Sequence, residues 1–211
     1  MHRSIERIVG AALLVAGLAV APSLAAGPVD GEVTAMYWIS DTKFEVSGEG
    51  SDSVGSEAIG FRAELWFIEK LGVSAGLFAA DLEDTDETID YNNLDVKWRL
   101  ISPTENNFLA VGAGWQQIDV GGEDTGGVRL VADGRVALVG FLYFYGRAAY
   151  VPSLSDVGDV SGGSMTELEF GLMIKPAPFL QLFAGYRSDD VSFDGVDWTT
   201  DGFLAGVGVN F

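Results

Sequence analysis

The last ten residues constrain the fold more than any other segment of the chain. Read back from the C-terminus in steps of two, they are all apolar: Phe211, Val209, Val207, Ala205 and Phe203. The residues between them are mostly small or polar. A period of two over this length predicts an extended strand with one apolar face. In a soluble protein that face would pack on another sheet, whereas in a membrane barrel it would contact lipid, with the terminal aromatic residue in an interfacial girdle.

The first 26 residues have the features of a secretory signal peptide. A short charged start precedes an apolar core from Ile8 to Ala21, and small residues follow as far as Ala26. The core is short for a bilayer span of about 20 residues, which argues against an uncleaved anchor. No later apolar run is long enough to span as a helix. We therefore predict a signal peptide at 1–26 and a single all-β domain at 27–211, which would cross a membrane as a barrel.

Alternating stretches divide the predicted barrel domain into about ten antiparallel strands, most of them near the 9–11 residues that a tilted membrane strand needs. Gly140 is the weakest turn, and Asp133-Gly134 is a better hairpin signal by itself, so eight strands are an alternative. Short turns alternate with longer polar loops, an arrangement that places both chain termini on the periplasmic side. The predicted strands are Gly31–Ser40, Ala58–Glu69, Leu71–Ala80, Ile89–Ile101, Phe108–Val120, Val128–Val139, Phe141–Pro152, Met165–Lys175, Phe179–Val191 and Trp198–Phe211.

Charged residues share one parity of these strands and apolar residues share the other. In Leu94–Arg99, for example, leucine, valine and tryptophan alternate with aspartate, lysine and arginine. A solvated sheet in a soluble sandwich is the alternative, but charges recur at mid-strand while the opposite parity stays apolar. Because unpaired buried charge is costly, we predict a barrel interior crossed by salt bridges. This predicted charge network comprises Arg62, Glu64, Asp95, Lys97, Arg99, Arg129, Asp133, Arg135, Arg147, Glu167, Glu169 and Arg187.

Two further patterns bear on the lumen and the rims of the barrel. Long charged side chains would fill the interior of an eight- to ten-stranded barrel, whereas inward glycines would leave room for a file of water or a slender ligand. Aromatic residues near strand ends predict interfacial girdles. The glycines are Gly76, Gly112, Gly114, Gly206 and Gly208, and the aromatic residues are Trp66, Phe67, Trp98, Phe108, Trp115, Tyr150, Phe179, Tyr186, Phe203 and Phe211.

Composition excludes several functions. A net charge of −19 argues against binding nucleic acid, which requires a basic face. The acid is concentrated in the predicted longer loops, most densely in Asp81–Glu87, which lacks the spacing and the glycine of a calcium-binding EF-hand loop. The chain has no cysteine, and its one histidine, His2, lies in the predicted signal peptide. We therefore expect no metal site, no cofactor and no enzymatic activity, since histidine is the usual base near neutral pH.

The alternating residues Phe203, Ala205, Val207, Val209 and Phe211 resemble the C-terminal assembly signal of Gram-negative outer-membrane β-barrels. As a pattern, residues 27–211 resemble small barrels of the OmpA-transmembrane and OmpW-like type. The resemblance implies insertion into the bacterial outer membrane by the barrel assembly machinery, contact with membrane lipid and lipopolysaccharide, and a monomer. It implies a structural or surface-interaction role, with a narrow channel or a transporter of small apolar ligands as the alternative. No residue-level binding motif matches.

Overall fold

A computed structural model describes residues 30–46, 50–83, 87–104, 106–156 and 162–211. The predicted signal peptide therefore lies outside the described residues. Within them the chain forms ten antiparallel strands that close into one barrel. No helix in this part of the chain is long and apolar enough to cross a membrane. The strands are β1 Asp30–Val46, β2 Gly50–Trp66, β3 Leu71–Leu82, β4 Thr88–Thr104, β5 Asn107–Val120, β6 Glu123–Val139, β7 Leu142–Val151, β8 Ser164–Ala177, β9 Leu180–Phe193 and β10 Val196–Asn210.

The barrel closes through its first and last strands. Each strand pairs with the next one in sequence, and β1 pairs with β10 from Glu32 opposite Asn210 to Val46 opposite Val196. At the end of this seam the Gly31 and Phe211 amides each donate to the other's carbonyl oxygen, at 2.8 and 2.9 Å. Closure satisfies the backbone groups that an open sheet would expose along its edges, as a membrane location requires.

The strand count is ten, so the alternative of eight is wrong. Asp133-Gly134 lies inside β6, with Asp133 opposite Arg147 of β7. The chain instead reverses at Gly140, whose φ of +44° is a left-handed conformation that glycine adopts without strain. The hairpin signal at Asp133-Gly134 was misleading because this aspartate is an inward-facing charged residue rather than a turn residue.

The start of β1, the end of β10 and the turns after β2, β4, β6 and β8 lie at one end of the barrel, which we call the terminal end. The connections after the odd-numbered strands through β9 lie at the opposite, distal end. Three longer loops predicted there are largely strand: residues 41–46 and 50–57 extend β1 and β2, and only two residues join β5 to β6 and β9 to β10. The connection between β7 and β8 is long, as predicted.

These extensions escaped prediction because the polarity of the two strand faces reverses near the distal end. In β1, Ile39 faces outward and is 60% exposed, whereas the next outward positions are Asp41, Lys43 and Glu45. Inward positions at the same level hold Thr42 and Phe44, which are buried or partly buried. The period of two continues, but the charged residues now lie on the outer face of the strand. A stretch with this composition resembles a polar loop in the sequence.

The outer surface carries an apolar band between the two ends. Val96 is 55% exposed on this surface and its neighbour Lys97 is 1% exposed, as the alternation predicts. From Phe203 to Phe211 the chain advances roughly 26 Å at about 3.3 Å per residue, or roughly 20 Å across the membrane at a tilt of about 40°. That height is close to the lipid-facing band of about 25 Å in outer-membrane barrels.

Aromatic residues border this band at both ends. Phe67, Trp98, Phe179 and Phe211 lie toward the terminal end, and Trp115, Tyr150, Tyr186 and Phe203 lie toward the distal end. The girdle prediction is wrong for Trp66 and Phe108. Both rings lie inside the barrel, where they meet edge to face with their centroids 5.9 Å apart.

Candidate functional site in the barrel lumen

The lumen is divided into three levels along the barrel axis. At the distal end the side chains form a mainly apolar layer, in which the hydroxyls of Thr42, Ser56 and Thr200 are hydrogen-bonded to one another; its buried apolar members include Trp38, Tyr91, Ile118, Leu154 and Trp198. The middle holds the charged side chains. At the terminal end lies an open cavity of about 700 Å³, which we call the vestibule.

The structure places all twelve side chains of the predicted charge network inside the barrel. The most exposed is Arg62, whose side chain is 11% accessible, and Lys97, Asp95 and Glu169 have none of their side-chain surface accessible. Their positions follow from the strand period of two, since inward residues recur at every second position of each strand.

Lys97 lies at the centre of the first cluster, the Lys97 cluster, which also contains Glu64, Asp133 and Arg147. The Lys97 ammonium donates to the Glu64 carboxylate and to Asp133 Oδ2 at 2.6 Å. Arg147 Nη2 lies 3.2 Å from Asp133 Oδ2 and 3.8 Å from Glu64 Oε2. The Trp66 indole also donates to Glu64, at 2.6 Å. Two cations thus face two anions, and the cluster joins β2, β4, β6 and β7.

Arg187 lies at the centre of the second cluster, the Arg187 cluster. Its Nη2 is 2.8 Å from Asp189 Oδ2 and 3.3 Å from Glu167 Oε2, and its Nη1 is 3.5 Å from Glu169 Oε2. The guanidinium carbon lies 4.0 Å from the centre of the Phe78 ring. This aromatic contact joins the charged level of the lumen to the apolar layer above it.

Two further arginines extend the Arg187 cluster across the lumen. Arg129 lies 2.9 Å from Glu167 and 3.3 Å from Asp95. Arg62 lies 2.8 Å from Glu169. Arg62 is on β2 and Glu169 on β8, and the wall between them contains β1, β10 and β9. This pair therefore spans the lumen rather than following one side of the wall.

Three interior partners were missing from the sequence prediction. Asp189 falls within the predicted strand Phe179–Val191 but is absent from the predicted charge network; it lies in β9 and is completely buried. Glu32 accepts two hydrogen bonds from Arg135, at 2.9 and 3.2 Å, and Gln116 accepts one from Arg129 at 2.6 Å. Asp189 had a usable signal, because it lies two residues after Arg187 and so shares its face.

The glycines that were expected to leave space in the lumen do not. A Cβ atom built at Gly206 would lie 2.4 Å from the Phe183 ring, and one at Gly208 would lie 2.5 Å from Gln181 Nε2. Asn93, Lys97 and Asp95 fill the spaces beside Gly76, Gly112 and Gly114 in the same way. The glycines thus make room for long neighbouring side chains, and the expectation of a water file beside them is wrong.

The vestibule is lined by both aromatic and charged side chains. The Arg99 guanidinium lies 3.8 Å from the Trp66 ring centre and 5.0 Å from that of Phe108, and Arg99 Nη1 donates to the Glu69 carbonyl at 3.3 Å. Arg99 therefore belongs to the vestibule rather than to the two central clusters. Lys175 lies on the same cavity and donates to Asn106 Oδ1 at 2.6 Å.

The distal surface carries carboxylates that face one another across strands. Asp41 is opposite Asp201, and Glu57 is opposite Asp81. Among the described residues no group of three or more histidine, cysteine, aspartate or glutamate side chains is arranged to hold a metal ion. Residues 84–86 of the predicted acidic loop lie outside the described part of the chain.

Sequence comparisons give no relative: no protein-family model and no curated protein matches the chain. Solved structures do match in shape. The outer-membrane protease OmpT from Escherichia coli aligns with a TM-score of 0.59 at 11% identity, covering 90% of this chain and 99% of that one. The fold is that of an outer-membrane β-barrel. Neisserial surface protein A aligns with a TM-score of 0.43 at 16% identity, over 88% of this chain and 100% of its own.

Proposed function

We propose that this protein is a non-enzymatic barrel of the bacterial outer membrane with a closed lumen and a structural or surface-interaction role. Its terminal end faces the periplasm and its distal end faces outward. The apolar band contacts lipid and lipopolysaccharide as a monomer, and the barrel assembly machinery recognises the strand that ends at Phe211. The apolar band and its aromatic borders support the contact with lipid, and the strands and the long β7–β8 connection that extend beyond the band at the distal end support the orientation.

The observation that carries the closed lumen is the presence of two different barriers in series. Cross-lumen ion pairs occupy the middle, where Arg129 and Glu169 are completely buried. Above them, Trp38 and Ile118 are also completely buried in the apolar layer. An ion entering from the vestibule would have to separate the pairs and then cross a level lined by apolar side chains, where it would lose its hydration.

The chemistry of the lumen supports a non-enzymatic role. The described residues contain neither histidine nor cysteine. The carboxylates that lie closest together along one strand, Glu167 and Glu169, each contact arginine side chains. Both oxygens of Glu169 accept hydrogen bonds from Arg62, and Glu167, whose Oε1 has no hydrogen-bond partner, lies away from the vestibule. Neither carboxylate is therefore placed as a general base beside a cavity that could hold a substrate.

Planar-bilayer recording tests the closed lumen. We expect the refolded protein to show no stable conductance on the scale of a general porin. Arg129→Ala opens only the ionic level and should remain nearly silent, whereas Arg129→Ala combined with Trp38→Ala and Ile118→Ala should conduct. Lys43→Ala, at an exposed distal position, is the control. A large, steady current through the unmodified protein would overturn the proposal and favour a channel.

A further inference from the structure

We infer that the vestibule is a binding site for a small organic anion with a planar aromatic body, entered from the periplasmic side. This inference goes beyond the closed lumen, because it assigns a ligand to a cavity that needs no passage through the barrel. It rests on the shape of the cavity, on its stacked aromatic and guanidinium groups, and on the hydrogen-bond donors in its wall.

The vestibule is a pocket that opens at one end only. Its volume of about 700 Å³ falls within the range of about 300–1,000 Å³ that small-molecule sites occupy. The mouth lies among the terminal-end turns, where Gly140 and Pro178 line it, and the inner wall includes Glu64 of the Lys97 cluster. A ligand can therefore enter from one end and is stopped by the ion pairs at the other.

The inner wall presents an ordered stack of rings and cations. Arg99 lies over the Trp66 ring at 3.8 Å and near the Phe108 ring at 5.0 Å, and Arg135 lies 5.7 Å from the same Phe108 ring. A guanidinium stacked on an aromatic face keeps its N–H groups in its own plane, where they can reach a carboxylate. The rings also offer faces and edges against which a planar ligand can pack.

The hydrogen-bonding groups of the wall favour a ligand with acceptor atoms. Glu32 already accepts from Arg135, and Glu64 accepts from Lys97 and from the Trp66 indole. Arg99 and Arg135 lie against the rings of the same wall, whereas Asp30 lies at the mouth of the cavity. The carboxylates of the inner wall are thus engaged and two guanidinium groups lie beside the rings, so an anionic group fits the inner wall better than a cationic one.

Binding of 2-naphthoate tests the assignment, with neutral 2-naphthalenemethanol and cationic 2-naphthylmethylamine as probes of the same ring. The full barrel is placed in lipid nanodiscs, and partition into empty nanodiscs is subtracted. We expect naphthoate to bind about tenfold more tightly than the alcohol, because it gains charge-assisted hydrogen bonds. The amine should bind most weakly. The NMR signal of the Trp66 indole N–H, assigned by its loss in Trp66→Phe, should shift on titration with naphthoate.

Variants locate the site. Arg99→Gln should weaken naphthoate binding about tenfold and bring it close to that of the alcohol, since it removes the stacked charge. Lys43→Gln, at the distal end, should leave binding unchanged. Equal affinity of the unmodified barrel for naphthoate and the alcohol would overturn the inference even if Arg99→Gln fails to fold. A Trp66 signal that naphthoate does not move would overturn it as well. Conductance of the unmodified barrel would refute the closed lumen, but the binding measurements would still decide whether the vestibule holds the ligand.

Discussion

Replacing Lys97 with methionine should strongly destabilise the barrel. The Lys97 ammonium has no accessible surface and neutralises the carboxylates of Glu64 and Asp133. Methionine retains a chain of similar volume, so the change removes the charge without leaving a large cavity. Arg147, at 3.2 and 3.8 Å from the two carboxylates, would then be the remaining cation of a cluster with two anions.

The expected cost follows from that imbalance. Leaving a buried charge uncompensated typically costs about 3–5 kcal/mol. If the free energy of unfolding falls by about 2 kcal/mol per molar urea, a loss of about 4 kcal/mol in that free energy lowers the unfolding midpoint by about 2 M urea. The measurement is reversible urea unfolding of the barrel in lipid vesicles, followed by tryptophan fluorescence and by the heat-dependent mobility of the folded band on gels.

The chain supplies a matched control at Lys43. Its ammonium contacts Glu45, but both side chains are about half exposed, at 51% and 52%. Exposed pairs of this kind contribute about 0–1 kcal/mol, so Lys43→Met should shift the midpoint little. Adding Glu64→Gln to Lys97→Met should recover part of the loss, because it removes one of the two anions. If Lys97→Met costs no more than Lys43→Met, the interior is hydrated enough to screen its charges and the reasoning fails.

Three other substitutions test separate parts of the structure. Val96→Arg places a charge in the lipid-facing band and should cost roughly 2–4 kcal/mol in the same vesicle assay, and tolerance of arginine there would mean that the faces are misassigned. Gly114→Ala should lower the free energy of unfolding, because its Cβ would lie 2.0 Å from the Leu94 carbonyl oxygen. Gly146→Ala should leave it nearly unchanged, because no atom lies closer than 3.8 Å to its Cβ, and equal effects of the two substitutions would contradict the packing. Deleting Phe211 should reduce the folded, heat-modifiable barrel in outer-membrane fractions while export continues, and normal accumulation of the truncated protein would contradict its role in assembly.

The sequence was most informative where one strand face meets lipid and the other meets the charged lumen. In β4 the contrast between Val96 and Lys97 fixed both the strand and its faces, because lipid tolerates no charge and the period of two leaves no ambiguity. The same contrast places Glu167 and Glu169 on the inner face of β8. It does not reveal which cation each of them meets, since Arg62 contacts Glu169 from a strand far away in sequence.

Prediction failed where this contrast disappears. Beyond the apolar band the inner face carries apolar and hydroxyl side chains and the outer face is acidic, so the first strand predicted from the sequence ends at Ser40, although Asp41 continues β1 and lies opposite Asp201 of β10. At the terminal end the sequence predicts that Trp66 and Phe108 belong to the girdle, because an aromatic residue near a strand end suits either environment. Trp66 shares the inward parity of Arg62 and Glu64, but only the three-dimensional packing shows that its ring and that of Phe108 stack with Arg99.

The cross-lumen ion pairs have a consequence for the order of folding. Arg62 and Glu169 are 107 residues apart in sequence, and Glu32 and Arg135 are 103 apart, so neither pair can form from a local hairpin. An incomplete sheet would have one face compatible with lipid and one covered in unmatched charge, and it could not enter the membrane without burying that charge. Membrane entry and formation of the seam between β1 and β10 must therefore be concerted, and folding should be slow, dominated by long-range contacts and without a stably inserted partial barrel.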